Sequence, residues 1–318
     1  MTRAVGEHAL RRMKLRDLRI LIAVAKAGSM AQAATQLSMA QPAVSKAVQD
    51  LEAILGARLF DRTPRGVEPT VLGSALLRRV VAALDELSQG ATELQTLANP
   101  ERGELRFCCS EGMASGIVPV ILDKLLTERP RLTFHVYSSE TPNRSYGRLV
   151  ADREVELALS RYPAPFESTD LEVEHLFDDP LVVVAGKNHP AARRRTLRLE
   201  QLLDQRWILM PTDAAVAGVM HRVFSEAGLP LPEAAIYTMS IHVRYAMLAA
   251  GDCVTMLPAS SLQVSPFRTM LARPPIKLPG KPGPVGLVKI KGRSLSPVAA
   301  LFAQAAREVS REVMGHPG

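Results

Sequence analysis

The 318-residue sequence predicts an α+β multidomain protein, with a small helical unit and hairpin at the amino terminus, one long linking helix, and a larger α/β region of two lobes. Three observations carry that prediction. Residues 15–55 hold three short stretches with apolar residues at helical spacing, separated by Gly28 and by Ser38-Met39-Ala40. Residues 77–98 hold one long stretch whose apolar positions advance in steps of three and four. Beyond Asn99-Pro100, short strand-like runs alternate with helical patterns, as in βαβ units.

At this length, with 47% hydrophobic residues, the chain can bury two or three cores, and disorder is not expected. The net charge of +7 is concentrated: residues 1–66 carry eleven Lys and Arg against five Asp and Glu. That asymmetry makes the first fifth of the chain the candidate for an anionic polymer such as nucleic acid. Of the three cysteines, Cys108 and Cys109 are adjacent and Cys253 is remote, so there is neither a paired framework nor a Cys-x-x-Cys metal spacing. They read as small buried hydrophobes in a reducing compartment, with a redox role only if Cys253 or a second chain supplies the partner sulfur. Met1 to Leu10 lacks the apolar core of an export signal, and no run of about 18 apolar residues occurs, so a cytoplasmic protein without membrane contact is expected.

In the first unit, Leu15, Leu18, Ile22 and Ala25 define one helix with Gly28 as its stop. Ser29 can cap a second, Ala-rich helix, where Ala33 and Ala34 allow close approach. A third helix begins at Gln41-Pro42, with Pro42 tolerated in a first turn that needs no amide, and continues through Val44, Val48, Leu51 and Leu55. Its other face carries Ser45, Lys46 and Gln49. Two helices joined by a tight turn, the second with a polar cationic outer face, form a helix-turn-helix suited to the major groove. Around the turn Pro64-Arg65-Gly66 the sequence reads as a hairpin wing, with Arg62 and Arg65 placed for phosphates or simply solvated. The candidate DNA-contacting set is therefore Ser29, Gln32, Gln41, Pro42, Ser45, Lys46, Gln49, Arg62 and Arg65.

From Thr70 onward, Leu77, Val80, Leu84, Leu87, Ala91 and Leu94 lie on one stripe. Self-pairing through it would give a dimer presenting two heads; packing on the chain's own carboxy-terminal region is the alternative. Three units follow: residues 1–70, the linking helix 71–98, and residues 99–318, with a first lobe at about 103–172 and 270–318 and a second at about 173–269. Strands are expected at Leu105 to Cys109, Leu132 to Tyr137, Val155 to Ser160, Leu181 to Ala185, Trp207 to Met210 and Val254 to Leu257. Helices are expected at Ile117 to Glu128, Tyr146 to Asp152, Val216 to Ala227 and Val243 to Ala250. This alternation implies parallel sheets and a ligand cleft at the carboxyl ends of their strands.

Residues 15–75 resemble the LysR-type DNA-binding domain: Gly28-Ser29-Met30, Ala33-Ala34, Leu37, Gln41-Pro42-Ala43-Val44-Ser45, Leu51-Glu52, Leu55-Gly56, Leu59-Phe60, Arg62, Thr70 and Gly73 occur in its order and spacing. The likeness continues more faintly through Val155 to Leu159 and Ala249 to Pro258. It implies a LysR-type transcription regulator, with a winged helix-turn-helix and a periplasmic-binding-protein-like sensor of two lobes. The implied partners are double-stranded promoter DNA, a small-molecule effector, further copies of the chain as homodimer or homotetramer, and RNA polymerase; no cofactor or metal is implied.

Within that resemblance Gln41, Pro42, Ser45 and Lys46 match positions that face DNA, with Gln suited to adenine and Lys to guanine or phosphate. Ala40 stands where a Ser or Thr commonly precedes the Gln-Pro pair, removing a cap worth ~1 kcal/mol. For the effector, the family's hydroxyl at the first sensor helix corresponds to Gly112, so the amides of Gly112 and Met113 with Ser110 or Ser115 become the candidates for an organic anion. Thr141 matches another effector-contacting hydroxyl, with a turn-capping role as the alternative. Ser240, before a second-lobe helix, could face the same cleft. Glu156 replaces the family's usual Asp. An enzyme is not expected: the histidines have no metal spacing, and neither a Gly-x-Ser-x-Gly elbow nor a phosphate loop occurs.

Overall fold

The structure, a computed structural model, describes residues 9–63, 66–99, 101–138, 145–162, 166–211 and 217–314. It forms two compact units, one through Thr92 and one from Glu93.

In the first unit three helices, α1 (Leu15–Ala27), α2 (Met30–Gln36) and α3 (Gln41–Leu55), precede the antiparallel hairpin β1 (Phe60–Thr63) and β2 (Gly66–Pro69). Gly28 closes α1 in the left-handed conformation, and its amide donates to the Val24 carbonyl. Ser29 caps α2 by accepting from the Gln32 amide, whereas Ala40 offers α3 no side-chain cap, as its residue type dictates. Ile20, Leu21, Val24, Ala33, Ala34, Val44, Val48 and Leu51 form the core, all nearly inaccessible. The wing is fastened at three points. The Val67 amide donates to the Gly28 carbonyl, Glu52 accepts from the amides of Leu59 and Phe60, and the Thr70 hydroxyl donates to the Arg58 carbonyl. Thr70 also accepts from the Gly73 amide, which starts the long helix α4 (Val71–Ala98). A Cβ at Gly73 would lie 2.0 Å from the Leu59 carbonyl oxygen, so only glycine fits there.

The second unit contains two five-stranded sheets. The first sheet comprises β3 (Gly103–Cys109), β4 (Leu132–Tyr137), β5 (Leu157–Arg161), β6 (Leu171–Asp179) and β12 (Gly283–Ile290), in the order β4-β3-β5-β12-β6. The second comprises β7 (Leu181–Gly186), β8 (Arg206–Leu209), β9 (Ala234–Tyr237), β10 (Cys253–Pro258) and β11 (Leu271–Ala272), in the order β11-β7-β10-β8-β9. The helices are α5 (Glu111–Ala114), α6 (Ile117–Glu128), α7 (Tyr146–Ala151), α8 (Ala217–Glu226), α9 (Ile241–Ala250), α10 (Ser260–Val264) and α11 (Pro297–Met314). Phe107, Ile121 and Phe302 lie in the main core of the first lobe, and Trp207, Phe224 and Met256 in that of the second.

Two expectations change. The sheets are mixed: β3-β4, β3-β5, β8-β9 and β8-β10 are parallel, but β12 runs antiparallel to β5 and β6, and β7 antiparallel to β10 and β11. The crossings between lobes also move. Strand β6 pairs along its length with β12 and so carries the first lobe on to Asp179, while β11 pairs with β7 and keeps Leu271 and Ala272 in the second. Neither β6 nor β12 announces itself locally. Charged residues interrupt β6, and β12 opens on Gly-Pro.

Candidate functional site

On α3 the apolar face, Val44, Ala47, Val48 and Leu51, is buried, while Gln41, Pro42, Lys46 and Gln49 are exposed and Ser45 is half-buried. Gln32 on α2 is exposed as well, and Ser29 is half-buried because its hydroxyl serves the α2 cap. One polar surface thus gathers side chains that donate and accept hydrogen bonds and carry a positive charge, the chemistry that base edges and phosphates require. Arg65 lies outside the described residues. Arg62 is placed by its strand pairing with Val67.

The stripe on α4 divides in two. Val80 is only 5% exposed and belongs to the core of the first unit, with Leu77 and Leu84 packed against the same cluster. These three residues therefore cover the head's own core, and the expectation that they form an intermolecular seam is corrected to that extent. Leu87, Ala91 and Leu94 remain exposed, Leu87 at 56% and Leu94 at 70%.

In the second unit, a cavity of about 450 Å³ opens where the carboxyl ends of parallel strands meet. Ser110 follows β3, Ser138 follows β4, Arg161 ends β5, Met210 follows β8 and Pro258 ends β10; all line the cavity. Its volume falls within the range of roughly 300–1,000 Å³ typical of small-molecule sites. Ser110, Gly112, Met113 and Ser240 are on the wall. Ser115 is not. Its hydroxyl is held by the Gly112 carbonyl and the Tyr245 hydroxyl at 3.3 and 3.2 Å, a tie between the two lobes rather than a ligand contact. Thr141 lies outside the described residues.

The expected anion cradle is also weaker than helix polarity suggested. Helix α5 is a single turn with Glu111 as its first residue, so its dipole is small and a carboxylate already neighbours its amides. Ser240 uses its hydroxyl to cap α9, accepting from Val243, and donates its amide to Thr238. The positive charge comes instead from Arg161 and Arg244. Arg244 is 4% exposed, and of its polar atoms Nη2 donates to the Met239 carbonyl while Nε has no hydrogen-bond partner among the described residues. Arg161 has Asp179 at 3.6 Å, beyond hydrogen-bond reach, and both its terminal nitrogens lack an acceptor among the described residues. Burial lowers the proton affinity of both guanidiniums, with Asp179 opposing the effect at Arg161, and Tyr245 and Glu111 opposing it at Arg244. Both stay cationic near neutrality because an arginine starts so far above it. Asp179 is drawn upward by burial, against the opposing hydrogen bonds from Ser260 and the charge of Arg161.

Two family models match the chain: "Bacterial regulatory helix-turn-helix protein, lysR family" over residues 15–74 and "LysR substrate binding domain" over residues 98–311. The chain belongs to the LysR family of transcription regulators. This LysR-type regulator is 29% identical over 300 residues to the HTH-type transcriptional regulator GbpR of Azospirillum brasilense, covering 94% of this chain and 87% of that one. It is 28% identical over 294 residues to the transcriptional dual regulator GltC of Bacillus subtilis, covering 91% and 95%. Its fold matches a point variant of full-length OxyR from Pseudomonas aeruginosa with a TM-score of 0.65 at 21% identity, over 94% of this chain and 97% of that one. It also matches full-length CbnR in complex with its target DNA, with a TM-score of 0.52 at 24% identity, over 94% and 100%. The relatives are transcription regulators rather than enzymes.

Several family residues now have a physical role. Gly28, Glu52, Thr70 and Gly73 supply the clasps and close approaches that hold the wing to the helices, and Ser29 caps α2. Glu156, in place of the usual Asp, accepts from the amide and hydroxyl of Ser296 at 2.6 and 2.8 Å, just ahead of α11. Sequence reasoning missed Arg161 and Arg244. Only one signal was available: each is a charged residue within an otherwise apolar run, Arg161 at the end of Leu-Ala-Leu-Ser and Arg244 between Val243 and Tyr245. The three cysteines are buried, and burial pushes the Cys109 thiol up to about 12, against any thiolate chemistry there. Among the described residues, no helix is long and apolar enough to cross a membrane and no side-chain group could hold a metal ion.

Proposed function

We propose that this LysR-type regulator binds promoter DNA as a dimer, itself paired into a tetramer, and that a small organic anion in the cleft changes the spacing of the paired heads. In this division of labour residues 1–70 read DNA, 71–98 join two chains and 99–318 sense the effector, in the cytoplasm and with RNA polymerase as the downstream partner. The carrying observation is the polarity of α3: its apolar side is consumed by the head's core, which leaves Gln41, Lys46 and Gln49 facing outward. The exposed Leu87, Ala91 and Leu94 support assembly through the distal part of α4, since an apolar stripe in water costs about 25 cal/mol per Å². A ligand shifts such an assembly only by binding its two arrangements unequally.

The test pairs two variants on an operator duplex. Lys46→Ala should weaken binding and, if Lys46 contacts a phosphate, flatten the salt dependence by about one unit of slope, with sizing and helix content unchanged. Leu87→Lys with Leu94→Lys should reduce the oligomer mass and the affinity together. Parent-like affinity in the first variant would remove α3 from the interface; parent-like mass in the second would move the dimer contact elsewhere.

A further inference from the structure

The cavity wall combines two features that no helix terminus supplies: buried guanidinium donors without acceptors, and a methionine lining. Met113, Met210, Met220, Met239 and Met256 all line the cavity, five of the twelve methionines in the chain, with Leu181, Val219, Ile241 and Leu257 as further apolar wall and four serines, Tyr146 and His242 among the polar remainder. Met113, Met220 and Met256 are buried among core residues, whereas Met210 and Met239 are half-buried. Thioethers are polarizable and conform to irregular apolar shapes, but they meet the needs of a hydroxyl or an ammonium poorly. A polyhydroxylated ligand would find partners at the serines but would leave the donors that lie over the methionines and aliphatic side chains unpaired. The acidic group lining the cavity is Glu111, whose charge already acts on Arg244, so an ammonium ligand would have to draw it away. A carboxylate would instead give Arg244 and Arg161 the acceptors they lack, in charge-assisted bonds that are stronger than neutral ones.

We propose that the effector is an amphipathic monoacid: one carboxylate on an apolar body, the anion held by Arg244 with Arg161 and the body by the methionine wall. The inference rests on the reading of the cleft as an organic-anion site and narrows its chemistry.

Calorimetric titration of the full chain with octanoate and 3-phenylpropionate, with their primary amides, and with succinate, gluconate and phenylalanine tests it. The two apolar acids should bind at least about tenfold more tightly than their amides, as expected for hydrogen bonds to a charged group. They should also outbind the three polar probes. Arg244→Gln should erase the acid-over-amide preference, and Met239→Gln, at a half-buried position outside the core clusters, should weaken octanoate several-fold. If Arg244→Gln does not fold, as read from the fluorescence of the single buried Trp207, the acid-amide comparison on the unchanged chain still decides the point. If succinate, gluconate or phenylalanine binds more tightly than the apolar acids and Arg244→Gln weakens it, the monoacid inference falls while the anion reading stands. Amides that bind as well as acids, or no binding by any acid, would overturn both.

Discussion

Three carboxylates in this regulator perform the same task at very different distances along the chain. In the head, Glu52 accepts from the amides of Leu59 and Phe60, seven and eight residues away. In the sensing region, Asp179 accepts from the amide and hydroxyl of Ser260, 81 residues away, and Glu156 from those of Ser296, 140 residues away. Each satisfies donors that would otherwise be orphaned at a junction of elements. The local clasp leaves a motif, Leu51-Glu52 followed by Leu59-Phe60, that is visible in one short window. The distant clasps leave no such mark, because their partners meet only after the sheets have formed.

That contrast can be broken by removing one carboxylate at a time. The largest effect is expected at Asp179, which is fully buried beside Arg161. Asp179→Leu should cost about 3 kcal/mol, the lower end for breaking a buried pair and leaving its partner charge behind. Urea unfolding read by Trp207 fluorescence checks this, since that indole sits in the second lobe's core. A loss below about 1 kcal/mol would mean that Ser260 and Arg161 find water instead.

Glu52→Ala should be milder, about 2 kcal/mol, because it orphans two partly buried amides but strands no charge. Helix content by circular dichroism should report the loss, while Trp207 fluorescence, which belongs to the other unit, should not move at the same denaturant concentration. A coincident shift of both signals would show that head and sensor unfold as one.

The smallest change sharpens the comparison from the stabilising side. Ala40 precedes α3 in an extended conformation suited to a cap but has no oxygen to offer. Ala40→Ser should therefore raise the head's stability by ~1 kcal/mol. Thermal unfolding followed at the helical signal checks it, and an unchanged midpoint would mean that solvent already satisfies the first-turn amides of α3.

The head was legible because its determinants are short-range. Helix stops, caps and the polar outer face of α3 can each be read within a few residues, and the family pattern spans one uninterrupted segment. The long helix was half legible. A three-and-four stripe records that a surface must be covered but not what covers it, and Val80 turned inward because the wing and α3 supply a core at that height. Thr141 and Arg65 fall outside the described residues, so Thr141 stands on the resemblance and Arg65 on the reading of Pro64-Arg65-Gly66 as a hairpin turn.

In the cleft, sequence reasoning put Ser110, Gly112, Met113 and Ser240 near strand ends and helix starts, and these positions do line one cavity. It could not place Ser115, whose hydroxyl meets Tyr245 from 130 residues away, nor Arg161 and Arg244, whose value lies in burial without acceptors.

Short windows of sequence were enough for the family, the winged helix-turn-helix and the α/β character of the remainder, because residue periodicity, turn chemistry and capping act over one or two turns of chain. The sheet order, the lobe to which β6 and β11 belong, the inward half of the α4 stripe and the charge of the cleft emerged only once the chain had folded. Each of these depends on which distant segment arrives alongside. A guanidinium in water is ordinary; enclosed by the ends of two sheets, with donors unpaired, it is the group we propose to hold an anion.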